Sequence, residues 1–333
     1  MNFNKVIGQK EILLSLKKSI ANDTVGHAYI FSGPRGIGKR TVASIFSAML
    51  LCSETISDDG GIDSCGKCYA CRMFSSEANP DYKVIEPTGT SIKIEEARKI
   101  HSDVSIRPTY SKRKVYVINE AEKMTKEAQN SLLKILEEPP KYVTIILTTS
   151  NYTSLLETVR SRAVKFEFKK NEDSEVKNIL KTDFSGNIKG ADFIASYSNG
   201  IIGTAIKLAG SEDFIKLREE TLGIINRLNS KNLLDVFEIY PFFNENKPEI
   251  NTILDIMAMF YRDLLVTQSA GDGNLLINSD KKDIILVNAK EYKEHELIKN
   301  IEIIEVTRKY IMQNVNYQLC IEVMLMKIQE END

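Results

Sequence analysis

No run of about 18 consecutive apolar residues occurs in this 333-residue sequence, which argues against a membrane span. The opening Met1-Asn2-Phe3-Asn4-Lys5-Val6 lacks the apolar core of a secretory signal peptide, so export is not expected and a cytoplasmic location is. An excess of charge is missing too: 44 Lys and Arg against 46 Asp and Glu leave −2. Without a bulk basic field the chain does not read as an autonomous nucleic-acid binder. Glycine (17) and proline (8) are too sparse for a collagen-like or low-complexity chain, and no repeat appears. The three histidines, His27, His101 and His295, are scattered and suggest no catalytic dyad. What remains is a soluble chain of two or three domains, long enough to build hydrophobic cores without disulfides.

The first half alternates short apolar runs with helical patterns. Strands are expected at Ala28–Ser32, Tyr82–Ile85, Val115–Asn119, Thr144–Ser150 and Val164–Phe168, each rich in β-branched or aromatic residues. Between them Thr41–Leu51, Ile94–Ser102 and Lys126–Glu138 read as helices, the last stopped by Pro139-Pro140. Strands alternating with helices predict a parallel sheet covered on both faces. After the polar join Lys169-Lys170-Asn171-Glu172-Asp173 strand-like runs become rare. Glu175–Thr182, Ala191–Ser198 and Thr204–Gly210 predict short helices, and Phe214–Leu228, Ile250–Ser269 and Ile301–Ile328 longer ones, broken once at Gly271-Asp272-Gly273. The expected fold class is therefore α/β followed by all-α: a P-loop domain over 1–168, a small helical domain over 169–210 and a helical domain over 211–333.

Strand Ala28–Ser32 runs into Gly33-Pro34-Arg35-Gly36-Ile37-Gly38-Lys39-Arg40-Thr41 and then a helix. Strand, glycine-rich loop and helix N-terminus together make a phosphate cradle, with Gly33, Gly36 and Gly38 freeing the backbone and Lys39 reaching the outer phosphates. The alternative is a tight turn with a solvated lysine. The position after the lysine should carry a hydroxyl for magnesium, yet it is Arg40. A guanidinium about 4 Å from a divalent ion's place would repel each unit charge there by roughly 4 kcal/mol at an effective dielectric near 20. The apolar strand Val115–Ile118 should end in Asp-Glu and instead ends in Asn119-Glu120. Two defects at one metal site predict little ATP hydrolysis and weak or no nucleotide binding.

Four of the five cysteines cluster: Cys52, then Cys65-x-x-Cys68-x-x-Cys71. Four soft ligands at this spacing suit a structural, tetrahedral Zn2+ in a module over 52–71. Free thiols or a redox role are the alternatives. Cys320, within an apolar helical pattern, reads as a small buried hydrophobe.

The run His27-Ala28-Tyr29-Ile30-Phe31-Ser32-Gly33-Pro34-Arg35-Gly36-Ile37-Gly38-Lys39 resembles the opening of bacterial clamp-loader subunits of the AAA+ class. So do Phe3 to Gln9, the four-cysteine insertion after the P-loop helix, and Asn130-Ser131-Leu132-Leu133-Lys134-Ile135-Leu136-Glu137-Glu138-Pro139-Pro140. Thr148-Thr149-Ser150-Asn151 is similar to the sensor 1 region. Val159-Arg160-Ser161-Arg162-Ala163 resembles the Ser-Arg-Cys arginine-finger motif with Ala163 in place of the cysteine. The resemblance covers residue 3 to about 210. Beyond that it rests on helical patterning.

The resemblance implies an AAA+ P-loop domain with a zinc module, a helical lid domain and a C-terminal helical collar. Arg40, Asn119 and Gly203, which stands where the family's ATPases carry a sensor 2 arginine, point to a non-hydrolysing stator rather than a gamma/tau-type motor. Arg162, retained, is implied to act in trans on a neighbouring subunit's nucleotide; the alternative is a solvated surface charge. Implied partners are gamma/tau ATPase subunits and a delta subunit in a hetero-pentamer, with the sliding clamp and primed DNA met through that complex, as part of the DNA-directed DNA polymerase holoenzyme. Lys112-Arg113-Lys114 reads as a solvated loop, with DNA-phosphate contact as the lesser alternative.

Overall fold

A computed structural model describes residues 6, 8–58, 61–183, 190–228, 234–270 and 275–330. Phe3, Asn4, Lys5 and Ile7 of the opening motif, and the Gly271-Asp272-Gly273 break, lie outside the described residues. The chain separates into two compact units, Met1–Val176 with Asn199–Gly203, and Lys177–Ser198 with Thr204–Asp333. The segment 169–210 is thus divided between them.

In chain order the first part comprises α1 (Lys10–Ala21), β1 (Ala28–Ser32), α2 (Lys39–Leu51), β2 (Ile56–Asp58), β3 (Gly61–Asp63), α3 (Tyr69–Ser75), β4 (Tyr82–Ile85), α4 (Ile94–Val104), β5 (Lys114–Ile118), α5 (Lys126–Glu137), β6 (Val143–Thr149), α6 (Glu157–Arg160) and β7 (Val164–Glu167). Five strands form one sheet in the order β4-β5-β6-β1-β7, and every pairing in it is parallel. β2 and β3 make a separate antiparallel hairpin.

Strand alternation sorts the core onto two faces. Tyr29 and Phe31 of β1 pack with Leu16, Val42 and Phe46 beneath α1 and α2. Ala28 and Ile30 pack with Ile100, Leu132 and Ile135 beneath α4 and α5. β1, β5 and β6 are buried along their whole length, as apolar central strands of a parallel sheet must be, whereas edge strands β4 and β7 are partly exposed. The expected strands all form; β5 and β6 begin and end one residue earlier than anticipated. Helix α1, the β2–β3 hairpin and α3 were not expected from the sequence.

The remainder is helical: α7 (Asp173–Asp183), α8 (Ala191–Tyr197), α9 (Ile202–Ala209), α10 (Glu212–Leu228), α11 (Leu234–Glu245), α12 (Ile250–Ala270), α13 (Lys282–Asn288), α14 (Glu294–Met312) and α15 (Tyr317–Gln329). In the second unit α12 buries one face, through Ile253, Ile256, Met257, Phe260, Tyr261 and Leu264, and its other face is only partly covered. An apolar stripe of this kind is what packs a helix into a bundle. Its fully buried Asp263 accepts hydrogen bonds from the backbone N–H groups of Ile277 and Asn278 at 3.1 and 2.7 Å. The stretch Ile301–Ile328, read as one helix from the sequence, is two. Asn314 adopts a left-handed φ of 59°, and the Asn316 side chain caps α15 by accepting from Leu319 N–H at 3.0 Å. Asparagine tolerates both roles, so an unbroken amphipathic pattern hid a corner.

Candidate functional site

The carboxyl end of β1 feeds the glycine-rich loop, and Lys39 opens α2 with Gly38 as its N-cap at φ 102°. A side chain would strain there, so glycine is what lets the loop curl back and aim N–H groups inward. The loop borders a cavity of about 460 Å³ whose far wall carries Glu86, Asn119, Glu120, Glu122, Thr148 and Ser150. Each of these follows or ends a sheet strand. In open parallel sheets the crevice outside the carboxyl ends of the strands is where ligands bind. Lys39 is buried, with Nζ donating to the carbonyls of Gly33 (2.6 Å) and Pro34 (2.7 Å). Burial holds its ammonium below the ordinary lysine range, against the opposing pull of Glu122 and Glu120.

Arg40 turns toward the cavity wall and ion-pairs with Glu86 at 2.7 Å. Glu86 Oε1 also accepts from Asn119 Nδ2 at 3.1 Å, Asn119 Oδ1 accepts from Thr148 Oγ1 at 3.1 Å, and Thr148 Oγ1 accepts from Glu120 N–H at 3.3 Å. This chain of contacts crosses the ends of β4, β5 and β6. Neighbouring strands lie about 4.8 Å apart, so residues at their ends fall one hydrogen bond from each other. The Arg40 and Glu86 side chains are 72% and 45% exposed. An exposed pair of this kind contributes at most about 1 kcal/mol, so it shapes the site more than it stabilises the fold. Glu120 is held by Arg35 at 3.3 Å and Lys123 at 2.5 Å. Burial would raise the Glu122 carboxyl, but hydrogen bonds from Ser150 and Thr149 hold it below its ordinary range.

Gly203 sits directly on the phosphate loop. Its N–H donates to the Gly36 carbonyl at 3.0 Å, and a Cβ added at Gly203 would lie 2.6 Å from that same oxygen. No side chain fits at this position without moving the start of α9 or the loop.

Arg162 lies between α6 and β7, with a side chain 35% exposed. Nη1 donates to Thr158 O (3.0 Å) and to Ser161 Oγ (3.2 Å), and Nη2 pairs with Glu137 Oε1 at 2.9 Å. It does not line the cavity around Lys39.

Cys52, Cys65, Cys68 and Cys71 converge, with all four Sγ atoms within 4.8 Å of one another. The β2–β3 hairpin bridges the gap between the first two, and Cys68 caps α3. Sγ separations are 3.6 Å for Cys52–Cys65 and 4.0 Å for both Cys52–Cys68 and Cys65–Cys71. Zinc–sulfur bonds of about 2.3 Å in a tetrahedron require ~3.8 Å between sulfurs, so the residues fit that metal. Backbone N–H groups of Lys67 and Cys68 donate to Cys65 Sγ at 3.4 and 3.3 Å. Burial opposes the Cys68 thiolate, but hydrogen bonds from Ser53 and Cys71 N–H outweigh it and bring the thiol to about 6, while burial pushes Cys52 and Cys71 up.

Glu86 and Glu137 are the site residues that sequence reasoning missed. For Glu86 a signal was available, since it directly follows a predicted strand. Glu137 lies within the motif quoted above, but its pairing gave no signal, because its partner is 25 residues away, beyond β6 and α6.

The sequence model described as DNA polymerase III, delta subunit, matches residues 8–172, and that for the C terminal part of the DNA polymerase III delta subunit matches residues 212–330. The chain is 29% identical over 327 residues to DNA polymerase III subunit delta' of Bacillus subtilis (strain 168), covering 97% of this chain and 96% of that protein. It is 31% identical over 240 residues to DNA polymerase III subunit gamma of Buchnera aphidicola subsp. Schizaphis graminum, covering 68% and 64%. A gamma subunit-related protein of Thermotoga maritima aligns structurally at a TM-score of 0.44 and 18% identity, over 96% of this chain and 99% of that one. Two successive models of one family, and a relative matched almost end to end, give the resemblance in the motifs its name: the chain belongs to the clamp-loader subunit family of bacterial DNA polymerase III.

Proposed function

We propose that this chain is a delta-prime-type subunit: a non-hydrolysing stator that helps a clamp loader place the sliding clamp on primed DNA. The carrying observation is the Arg40–Glu86–Asn119 network at the rim of the phosphate loop. A hydrolysing site needs a hydroxyl and an aspartate there to hold magnesium. Here a cation and an amide stand in those places, already satisfied by a neighbouring carboxylate. The seat of Gly203 on Gly36 supports the same reading, since a sensor arginine has no room at that position.

In this reading Arg162 projects into the nucleotide site of an adjacent gamma/tau ATPase subunit. It would stabilise charge on the transferring phosphoryl group, a contribution that reaches about 10³–10⁵ in rate for arginine fingers. The four cysteines hold a structural Zn2+, which braces the β2–β3 hairpin against α3 and supplies no chemistry. We assign 1–168 as the AAA+ domain, 169–210 as the lid and 211–333 as the collar that joins the delta and gamma/tau subunits in a hetero-pentamer in the bacterial cytoplasm. Among the described residues no helix is long and apolar enough to cross a membrane.

Calorimetric titration of magnesium-ATP into the purified chain tests the reading. The expected result is no binding at millimolar nucleotide and no turnover by the chain alone. Micromolar binding with saturable turnover would favour the gamma/tau-type motor instead.

A further inference from the structure

We infer that Glu137 is a positioning residue for Arg162, fixing the guanidinium at the surface before any neighbouring phosphate arrives. The inference rests on the reading of Arg162 as a finger acting in trans.

Glu137 is the last residue of α5, and Glu138 follows as the C-cap. A carboxylate at a helix C-terminus faces the negative end of the dipole and is disfavoured there. The residue therefore does not serve its own helix. Its carboxylate instead lies 2.9 Å from Arg162 Nη2, where a cation offsets the dipole. The finger segment contributes the other restraints, with Thr158 O and Ser161 Oγ both taken by Nη1. Two elements thus grip the two terminal nitrogens separately.

That division matters because a long arginine side chain has many rotamers to lose before its guanidinium is fixed. A guanidinium tethered only through Nη1 to its own short segment can still swing, since Thr158 and Ser161 move with it. Glu137 is anchored in α5, whose Leu132, Ile135 and Leu136 are buried in the core. It ties the finger to the rigid body of the domain. The pair is open enough to admit a phosphate: Arg162 is 35% and Glu137 50% exposed. Pre-orientation of this kind acts on the chemical step, not on how tightly the neighbour holds ATP.

The test is a double-mutant cycle in the reconstituted loader containing this full chain and its ATPase subunits, with DNA- and clamp-stimulated ATP turnover as the readout. Glu137→Gln keeps size and removes charge, and unchanged thermal unfolding of the chain checks that it folds. The expected result is a 5- to 20-fold fall in kcat at constant KM for ATP, a larger fall for Arg162→Ala, and a double variant no worse than Arg162→Ala alone. If Arg162→Ala leaves turnover intact, the finger reading fails and takes this inference with it. If Arg162→Ala is damaging but Glu137→Gln is silent, raises KM only, or multiplies with Arg162→Ala, the finger stands and the positioning role is overturned.

Discussion

Lys114 is 3% exposed, and it tolerates burial only because Asp103 lies 3.1 Å from its ammonium. Lys83 at 2.8 Å and the Tyr116 hydroxyl at 2.7 Å share the same carboxylate. Burial alone would raise the Asp103 carboxyl, but these three partners hold it below its ordinary range. Burial first, and then the Asp103 charge, push the Tyr116 phenol well above its ordinary range. The signs are opposite. Asp103 stabilises the fold above its unfolded pKa near ~4, and that contribution is lost as pH falls through the lower folded value. Tyr116 contributes below about pH 10, and its contribution is lost as pH rises through the higher folded value. Asp103→Asn is therefore expected to cost about 1–3 kcal/mol at neutral pH, chiefly by leaving a buried ammonium without its counter-charge. Urea unfolding at pH 7 and at pH 3 checks this: the difference between variant and wild type should shrink at the lower pH. An equal difference at both would assign the cost to packing instead.

At the scale of elements, the four-cysteine module has little regular structure of its own. β2 and β3 have three residues each and α3 seven. A lone two-stranded hairpin is marginal in water, and so is a seven-residue helix. Their order depends on what joins them, and four sulfurs in tetrahedral reach do that. Cys65→Ser is expected to abolish stoichiometric zinc, measured by elemental analysis as a fall from one ion per chain. Treatment of the wild-type protein with a strong chelator should bring rapid amide exchange to 52–75 while leaving the sheet protected. Zinc retained by Cys65→Ser would mean that the metal has other ligands. The spacing of the cysteines made the cluster legible from sequence, because C-x-x-C is a local geometry. The hairpin was not legible, since Ile56–Asp58 and Gly61–Asp63 are too short to show alternation. The corner at 313–316 was hidden for the converse reason: the apolar pattern runs on through it.

For the whole molecule, the near balance of charge bears on whether it binds DNA by itself. Non-specific binding to duplexes draws on released counterions, and a chain of net charge −2 has no broad field to release them. Fluorescence anisotropy at 0.15 M salt should find the isolated chain binding duplex DNA no tighter than about 10⁻⁴ M, the weak end of non-specific affinity. Binding a hundredfold tighter with steep salt dependence would instead mark the chain as a DNA-binding zinc protein in its own right.

Local chemistry along the chain was enough to define the parallel sheet, the phosphate loop and the four-cysteine module, because β-strand patterning, Gly-x-Gly-Lys and Cys-x-x-Cys are written in contiguous residues. It also exposed Arg40 and Asn119 as misfits, since each departs from a requirement at one known position. Where those misfits go is a different matter. Arg40 meets Glu86, 46 positions away, only because β4, β5 and β6 lie side by side and end at one crevice. Gly203 meets Gly36 only because a distant segment returns to the loop. Glu137 reaches Arg162 only because α5 ends beside the segment that leads from α6 into β7. Each of these pairings joins residues that share no local pattern, and folding alone sets the distance between them.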